Sequence, residues 1–254
     1  MAAVRKPFQG VLNIVQFNWP FYIVFLILFI LMIAMINELQ DSYQIYGYLL
    51  CMGGLAVFFI SLLISWYVYD WSNLYDLQWA DELNILPSNR LVNIHAGFDE
   101  TSVLLKAKFP ISTLLVFDFY DPLKHTEASI KRARKAYPPF PGTQSIQTIH
   151  VPLENQSIDH LFIILAAHEI RNHDERVLFF KELNRILKPT GKIVVIEHLR
   201  DVANFAAYTI GFFHFHSKAI WRKTYQEAGL KLKQEKKITP FISIFILQKN
   251  GTAL

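Results

Sequence analysis

Two long apolar stretches near the N-terminus constrain this chain more than any other feature. They cover residues 20–36 and 46–68, and neither contains a charged side chain. About 20 mostly apolar helical residues cross the roughly 30 Å hydrocarbon layer of a bilayer, and a helix satisfies its own backbone hydrogen bonds there. The sequence therefore predicts a transmembrane helical hairpin, with the lipid bilayer as a partner of the protein.

The positions of the basic residues orient this predicted hairpin. Arg5 and Lys6 precede the first stretch, whereas the connection at residues 37–45 contains no lysine or arginine. Basic residues flank membrane spans on the cytoplasmic side, so we expect a multi-pass integral membrane protein with both termini in the cytoplasm. A cleaved signal peptide is disfavoured, because the first stretch is long and a second one follows it.

The remaining charge and cysteine content excludes some classes of protein. Basic residues outnumber acidic ones after residue 84, which suits either an anionic membrane surface or simple solvation. Nothing in their arrangement specifies nucleic acid as a partner. The single cysteine, Cys51, lies in the second apolar stretch, which excludes a disulfide framework and a cysteine-based zinc site.

The order of the elements after the membrane stretches predicts the fold. Strands are expected at residues 90–95, 113–118, 145–151, 159–166 and 192–198, helices at 100–109, 125–137, 174–187 and 217–229, and closing strands at 231–238 and 242–249. Alternating strands and helices are typical of a parallel sheet with crossover helices. We therefore predict a doubly wound, Rossmann-like α/β fold with a mostly parallel seven-stranded sheet and a terminal antiparallel hairpin.

Three segments follow from this order. Residues 1–69 form the N-terminal tail and membrane hairpin, residues 70–87 form a linker with a short interfacial helix, and residues 88–254 form the α/β domain.

Local sequences within the domain resemble those of the class I S-adenosyl-L-methionine (SAM) dependent methyltransferases. The resemblance rests on Ser157-Ile158-Asp159 entering the fourth strand, on ELNRILKPTG at residues 182–191, which is similar to the family's RxLKPGG signature, and on AGL at residues 228–230. It implies SAM as the cofactor and methyl transfer as the reaction.

The resemblance also implies where SAM would bind. Members usually carry several glycines after the first strand, and here Gly97 alone remains; a glycine tolerates positive φ and close approach of a ligand. Asp118 ends the second strand, where the family's carboxylate accepts hydrogen bonds from the ribose hydroxyls, although an aspartate there is also a common turn former. The other expected cofactor contacts are His95, Phe119, Leu153 and Glu154.

Polar residues after the fourth and fifth strands are candidates for chemistry. His168 and His198 are the predicted catalytic bases, because imidazole titrates near neutral pH. The predicted substrate-binding residues are Glu169, Arg171, Glu197, Arg200, His214 and His216. Taken singly, each is better explained by a structural ion pair that shapes the loops. We expect no metal site, because the His214-x-His216 pair lacks a third ligand at a recognisable spacing.

These observations predict a membrane-anchored SAM-dependent methyltransferase. Since a soluble acceptor needs no anchor, its substrate is expected to be a hydrophobic small molecule or lipid, such as a quinone precursor. The aromatic segment at residues 211–217 and the interfacial stretch at residues 70–87 are expected to form the entry side. The sequence does not determine the oligomeric state. One alternative is a non-catalytic membrane protein that uses the fold for ligand sensing or interaction, and another is a SAM-using reaction other than methylation.

Overall fold

A computed structural model describes residues 5–124 and 127–251 of the chain. The chain divides into two compact units, one comprising Arg5–Trp71 and the other beginning at Ser72. The predicted start of the second helix of the domain, His125, lies outside the described residues. The three predicted domain boundaries stay a prediction.

The first unit is helical. It contains α1 (Gln9–Phe17), α2 (Trp19–Asn37) and α3 (Asp41–Trp66), and α3 continues into one turn of π-helix at Tyr67–Trp71. By length and composition, two segments are able to cross a membrane, Trp19–Asn37 and Asp41–Trp71, with mean hydropathies of 2.7 and 2.3. Each segment contains one of the two apolar stretches that the sequence predicts to cross a membrane. Their large side chains are mostly exposed, as in helices that are apolar on all faces and surrounded by lipid.

The short helix α1 was not predicted, and polar contacts explain its position. The Asp70 carboxylate accepts hydrogen bonds from the backbone N–H groups of Gly10 and Val11, at 2.6 and 2.8 Å. These are N–H groups at the start of a helix, which have no partner within it. A Cβ atom on Gly10 would lie 2.4 Å from the Cβ of Tyr69, so only a glycine permits this approach.

The predicted linker differs from expectation. Instead of an interfacial helix it forms turns and a short 3-10 helix, Gln78–Leu83, within the second unit. Trp79 is buried, donates its ring N–H to the carbonyl of Leu74 at 2.9 Å and contacts the ring of Phe162. This segment therefore belongs to the core of the α/β unit.

The second unit is built on one seven-stranded sheet. Its strands are β1 (Arg90–His95), β2 (Thr113–Asp118), β3 (Gln144–Ser145), β4 (Ile158–Ile164), β5 (Leu187–His198), β6 (Leu230–Thr239) and β7 (Ile242–Lys249). Their order is β3-β2-β1-β4-β5-β7-β6, and β7 is antiparallel to both of its neighbours whereas the other six strands are parallel. This confirms the predicted doubly wound fold with its terminal antiparallel hairpin.

The helices cover both faces of this sheet. They are α4 (Ser102–Lys108), α5 (Ala128–Ala136), α6 (His173–Ile186), α7 (Val202–Tyr208) and α8 (Lys218–Glu227), and a 3-10 helix at Thr209–His214 follows α7. The apolar face of α6 and the rings of Trp221 and Tyr225 on α8 pack in the core with β4 and β5. Strands covered on both faces require nearly continuous apolar sequence, which is why β4 was recognisable.

Two strands differ from their predicted bounds. The third strand was expected over residues 145–151 and spans only Gln144–Ser145. The backbone of Val151 instead bonds to side chains at the end of α6, accepting from Arg185 at 3.0 Å and donating to Glu182 at 2.8 Å. The fifth strand begins at Leu187 instead of residue 192. In this added part of the strand, the Lys188 ammonium pairs with Asp159 at 2.8 Å.

Candidate functional site

Polar side chains gather where β1, β2, β4 and β5 end. The carboxyl ends of parallel strands share one edge of a sheet, and ligands of doubly wound folds bind there, next to the reversal of strand order. The reversal here lies between β1 and β4. Two groups of residues occupy this edge. We call them the Asp118 group (His95, Gly97, Asp118 and Arg134) and the histidine cluster (Glu127, His168, Glu169, Glu197 and His214).

The loop after β1 is shaped by hydrogen bonds from Asn93. Its side-chain amide donates to the hydroxyls of Thr101 and Ser102 at 2.9 and 2.8 Å. Gly97 in this loop has a φ of +90°. A Cβ atom there would lie 2.9 Å from the Arg134 guanidinium and 3.0 Å from the ring of Tyr120, so the position requires glycine for both conformation and space.

Asp118 ends β2 and is paired within the chain. Its side chain is almost fully buried, with the residue 5 % exposed. One carboxylate oxygen accepts from the backbone N–H of Tyr120 at 2.9 Å, and the other accepts from the Arg134 guanidinium at 2.5 Å. The guanidinium also donates to the carbonyl of Gly97 at 3.3 Å and lies 4.4 Å above the Tyr120 ring. Arg134 of α5 therefore covers the carboxylate expected to bind ribose.

His95 fills the space beside Gly97. Its Nδ1 accepts from the Gly97 N–H at 3.2 Å, and its buried Nε2 has no hydrogen-bond partner among the described residues. Asp118 Oδ1 lies 3.7 Å from Nδ1, and Asp99 Oδ2 lies 3.9 Å from Nε2. That Asp99 oxygen has no hydrogen-bond partner in the described part either. Burial lowers the pKa of His95, against the opposing charges of Asp99 and Asp118, so its imidazole is neutral at pH 7.

The other three predicted cofactor contacts are placed differently. Phe119 directly follows Asp118 and its backbone N–H donates to the carbonyl of His95 at 3.0 Å, but its ring is buried in the core, with its centroid 5.4 Å from that of Phe179. Leu153 and Glu154 precede β4, at the opposite edge of the sheet, where the carbonyl of Leu153 accepts from Arg185 at 2.8 Å. The structure thus brings together His95, Gly97 and Asp118 of the six residues, and the remaining three are not part of the site proposed below.

The histidine cluster forms where β4 and β5 end. His168 and Glu169 lie on a 3-10 helix, Ala167–Glu169, after β4, and Glu197 lies near the end of β5. Glu197 is fully buried, at 0 % exposed, and accepts from the His168 backbone N–H at 3.1 Å and from the ring Nδ1 at 2.7 Å. The other ring nitrogen, Nε2, lies 3.2 Å from Glu169 Oε1.

His214 completes the cluster from the 3-10 helix after α7. Its Nε2 lies 3.5 Å from the same Glu169 oxygen, and its Nδ1 lies 2.9 Å from Glu127 Oε1. The rings of His168 and His214 are 5.0 Å apart between centroids. The cluster therefore joins residues from four separate segments of the chain around one carboxylate.

Two arginines hold the segment that carries His214. Arg171 donates to the carbonyl of His214, and its Nη2 lies 2.5 and 2.8 Å from the two ring nitrogens of that histidine. Arg200 donates to the carbonyls of Phe215 and Phe213, at 2.8 and 2.7 Å. Both predicted substrate-binding arginines thus contact backbone of residues 213–215 in this structure.

The histidines at this edge have opposite protonation states. Burial alone would lower the pKa of His168, but the charge of Glu197 and hydrogen bonds to Glu169 and Glu197 outweigh it and raise the pKa to about 10. In this arrangement His168 is a proton donor at neutral pH, which differs from the base predicted from the sequence. The same contacts hold the pKa of Glu169 far below its usual range despite its burial.

His198 and His216 are neutral at pH 7. Burial lowers the pKa of His198 to about 4, although its Nδ1 is 2.9 Å from the amide oxygen of Asn204. Its ring stacks on Phe215 at 4.7 Å. Burial and the charge of Arg176 lower the pKa of His216 to about 3, and the ring Nε2 lies 3.2 Å from that guanidinium. The catalytic roles of His168 and His198 stay predictions.

Sequence reasoning missed three residues of this edge. Arg134 is one of several basic residues on α5, so no local pattern distinguishes it. Asn204, which bonds both His198 and Asp201, is likewise inconspicuous in the sequence. Glu127 was noted only as an acidic residue beside a helix start, where it favours the positive end of the helix dipole; its contact with His214 depends on the fold.

Comparisons with known proteins agree with this architecture. Residues 120–195 match the family described as Methyltransferase domain. A SAM dependent methyltransferase from Aquifex aeolicus is 13 % identical, with 69 % of this chain and 91 % of that chain covered and a TM-score of 0.50. The PH0226 protein from Pyrococcus horikoshii OT3 is 12 % identical, with 70 % and 88 % covered and a TM-score of 0.52.

At these identities the two structures support the fold alone, and no curated protein has a significant sequence match to the chain. The family match adds an independent observation, because it runs from just after β2 into β5 and includes Ser157-Ile158-Asp159 and all of residues 182–191. Such a domain implies SAM as its cofactor. The chain is thus similar to methyltransferase domains over residues 120–195, and its second unit has the fold of SAM-dependent methyltransferases, as the resemblance in its sequence predicted.

Proposed function

We propose that this protein is a membrane-anchored methyltransferase that transfers the methyl group of SAM to a hydrophobic small molecule or lipid, for example a quinone precursor. The observation that carries the proposal is the buried Asp118 carboxylate beside the positive-φ Gly97, at the edge where doubly wound folds bind ligands. We also propose that the domain and both termini of the chain lie on the cytoplasmic side of the membrane.

The residues of the Asp118 group suit the cofactor. A carboxylate accepts hydrogen bonds from two vicinal hydroxyls, and His95 Nε2 and Asp99 Oδ2 are buried polar atoms without hydrogen-bond partners among the described residues. Buried polar groups normally find a partner, which a polar ligand supplies. SAM provides an electrophilic methyl group on its sulfonium. Since Arg134 holds the Asp118 carboxylate, its half-exposed side chain must withdraw or share that carboxylate when SAM binds.

An exposed apolar surface supports a hydrophobic acceptor. Four large side chains of α7 and the following 3-10 helix are more than half exposed; they are Val202, Phe205, Ile210 and Phe213. Apolar patches of this kind often mark membrane or ligand contacts. The same segment carries His214 of the histidine cluster, so an acceptor that contacts it would approach the polar edge of the sheet. The membrane stretches concentrate such an acceptor around the domain.

One observation favours a second candidate function. Arg134 and His95 occupy the space around Gly97 and Asp118, as in a protein that keeps the fold for interaction or ligand sensing without catalysis. The histidine cluster on the acceptor side argues against this, because buried charged groups are costly to retain. SAM binding alone does not separate the two functions, since a sensor also binds a ligand; methyl transfer does.

The cofactor test uses the full chain in detergent micelles. Isothermal titration with SAM and with S-adenosylhomocysteine should give one site per chain, and Asp118→Ala should weaken binding at least about tenfold, because about 1.5–3 kcal/mol is typical of hydrogen bonds to a charged group. Glu154→Ala is the matched control, since this carboxylate is exposed at the opposite edge. Absence of heat for both ligands, or equal binding by the two variants, would overturn the cofactor site.

The acceptor test compares cells with and without the gene, fed methyl-labelled methionine. Loss of label from a lipid-extractable species on deletion, restored by the wild-type gene and not by Asp118→Ala, is the expected result. Loss from a water-soluble metabolite alone would exclude the hydrophobic acceptor. No loss of label from any species, together with intact SAM binding, would favour the sensing function.

A further inference from the structure

The two imidazoles of the histidine cluster share an arrangement that an ion-pair network does not require. In each ring, Nδ1 lies against a carboxylate oxygen, that of Glu197 at 2.7 Å for His168 and that of Glu127 at 2.9 Å for His214. In each ring, Nε2 lies near Glu169 Oε1, at 3.2 and 3.5 Å. Two ring nitrogens from distant segments therefore converge on one carboxylate.

This is the pattern of histidines that bind metal ions. A metal-binding imidazole usually donates its second N–H to a carboxylate, which fixes the tautomer and turns the remaining lone pair toward the ion. A bound ion would take the place of the proton on His168 Nε2. With protons then only on the two Nδ1 atoms, the lone pairs of both Nε2 atoms point to the same place as the Glu169 carboxylate. Ligand atoms of His168, Glu169 and His214 all lie within 4.8 Å of one another, close to the roughly 3–4 Å between ligands about 2.0–2.2 Å from one ion.

The charges around the three residues also suit a cation. Three carboxylates, of Glu127, Glu169 and Glu197, face the two imidazoles. The guanidinium of Arg171 is the other positive group in contact, and its Nη2 lies within 2.8 Å of both ring nitrogens of His214. A guanidinium only donates hydrogen bonds, so this contact is incompatible with an ion on Nε2, and Arg171 must withdraw when the ion binds. Arg171 is 42 % exposed and has room to withdraw.

We propose that His168, Glu169 and His214 bind a divalent transition-metal ion, with Glu197 and Glu127 as the carboxylates that orient the two histidines. Two imidazoles and one carboxylate form a donor set typical of Zn²⁺, and three protein ligands leave a coordination position open for water or another oxygen ligand. This site was not expected from His214-x-His216, because its other ligands follow β4, more than forty residues earlier in the chain. His216 is turned away, against Arg176 and Trp221.

Zinc binding is testable without cofactor or acceptor. The full chain is purified in detergent with any histidine tag removed, treated with a chelator, and titrated with Zn²⁺ alone in competition with a chromophoric chelator. We expect one Zn²⁺ per chain. His214→Ala and Glu169→Gln should each weaken binding at least about 100-fold, and Glu127→Gln about 10- to 100-fold, as supporting carboxylates do.

His150→Ala is the control, because this histidine is 72 % exposed and its nearest carboxylate lies 3.8 Å away on α6. Circular dichroism and the unfolding temperature of each metal-free variant establish that it folds. Co²⁺ substitution adds a spectroscopic readout, since the visible absorption bands of protein-bound Co²⁺ should appear in wild type and disappear in Glu169→Gln. Less than one Zn²⁺ per chain at micromolar free Zn²⁺, or equal affinity in folded His214→Ala and His150→Ala, would overturn the site. SAM titration of the metal-free protein tests the proposed function separately.

Discussion

The two groups at the sheet edge balance their buried charge differently. At the end of β2 a single carboxylate, Asp118, meets a single guanidinium, Arg134. At the ends of β4 and β5, three carboxylates surround two imidazoles, with Arg171 as the one guanidinium in contact. In the first group the Asp118 carboxylate is already paired with Arg134, which must move or share it before a ligand binds there. The second group places its ligand atoms around a common point where an ion would bind. The first group therefore has to give up an internal ion pair to bind its ligand, whereas the second has its ligand atoms already in place.

The protonation of a buried histidine also depends on how many carboxylates surround it. His160 and His168 are both largely buried, near the start and just beyond the end of β4. Burial and the charge of Lys192 lower the pKa of His160 to about 4, whereas carboxylates raise that of His168 to about 10. Burial therefore does not by itself set the charge of a histidine; the neighbouring carboxylates decide it.

Removing the buried carboxylate of the histidine cluster should have the largest effect. Glu197→Ala leaves the ring and backbone N–H of His168 buried without their acceptor. Breaking a buried ion pair typically costs about 3–5 kcal/mol, which lowers the unfolding temperature of a domain of this size by about 10 °C. Thermal unfolding followed by circular dichroism measures this. Glu154→Ala, an exposed carboxylate, is the control, and an equal shift in both variants would show that the buried pair contributes little.

The second prediction concerns acid stability and isolates the effect of burial. In the unfolded chain His160 binds a proton near pH 6.5, whereas in the folded chain its pKa is about 4. As pH falls from 6.5 to 4 the unfolded state binds the additional proton, so this residue lowers the free energy of unfolding by up to about 3 kcal/mol. Above pH 6.5 His160 is neutral in both states and does not reduce the free energy of unfolding; the reduction grows as the pH falls towards 4.

His160→Gln removes this titration and should lose less stability than wild type over the same pH range. Urea unfolding at pH 7, 5.5 and 4.5 gives both profiles. His150→Gln, at an exposed position, controls for the loss of an ordinary histidine. Parallel profiles for wild type and His160→Gln would contradict the assigned cause.

Releasing Asp118 from Arg134 should have a smaller effect, and it should strengthen SAM binding. Arg134→Met removes the guanidinium from the carboxylate and from the carbonyl of Gly97. We expect SAM affinity to rise about tenfold, which corresponds to about 1.4 kcal/mol, because the ligand no longer displaces a bound side chain. Isothermal titration measures the change, and Lys135→Met on the same helix is the control. Weaker binding in Arg134→Met would mean that the guanidinium itself helps to hold the ligand.

The smallest predicted effect concerns the exposed apolar surface. Ile210 and Phe213 are 83 % and 62 % exposed, so Ile210→Ser and Phe213→Ser should leave the unfolding temperature nearly unchanged. Transfer of labelled methyl groups from SAM into native membrane lipids should require about threefold more lipid for half-maximal rate. This corresponds to losing the burial of roughly one methylene group against the lipid, which contributes about 0.8 kcal/mol. Leu178→Ser, at an exposed position of α6, is the control. Equal lipid dependence in all three variants would assign the acceptor to another surface.

The sequence by itself determined most of the architecture. Strands β1 and β2 have their predicted bounds, and the two apolar stretches lie within the helical segments Trp19–Asn37 and Asp41–Trp71, because long apolar runs bounded by polar residues depend on few distant contacts. The third strand was predicted too long, since side chains at the end of α6 bind the backbone that a strand would have used. Helix α1 was missed, because Asp70, which binds its first turn, is about sixty residues away in the chain.

Only the tertiary structure decided the composition of the functional edge. Local sequence identified Asp118 and His168 as candidates, because a polar residue directly after a buried strand is conspicuous. It contained no signal that Arg134 binds Asp118, or that Glu127 and His214 meet Glu169. Those contacts depend on which strands lie side by side and on where α5 and the segment after α7 cross the ends of the sheet. Such long-range geometry arises from packing of the whole domain, whereas periodicity and turn residues record only the local conformation of the chain.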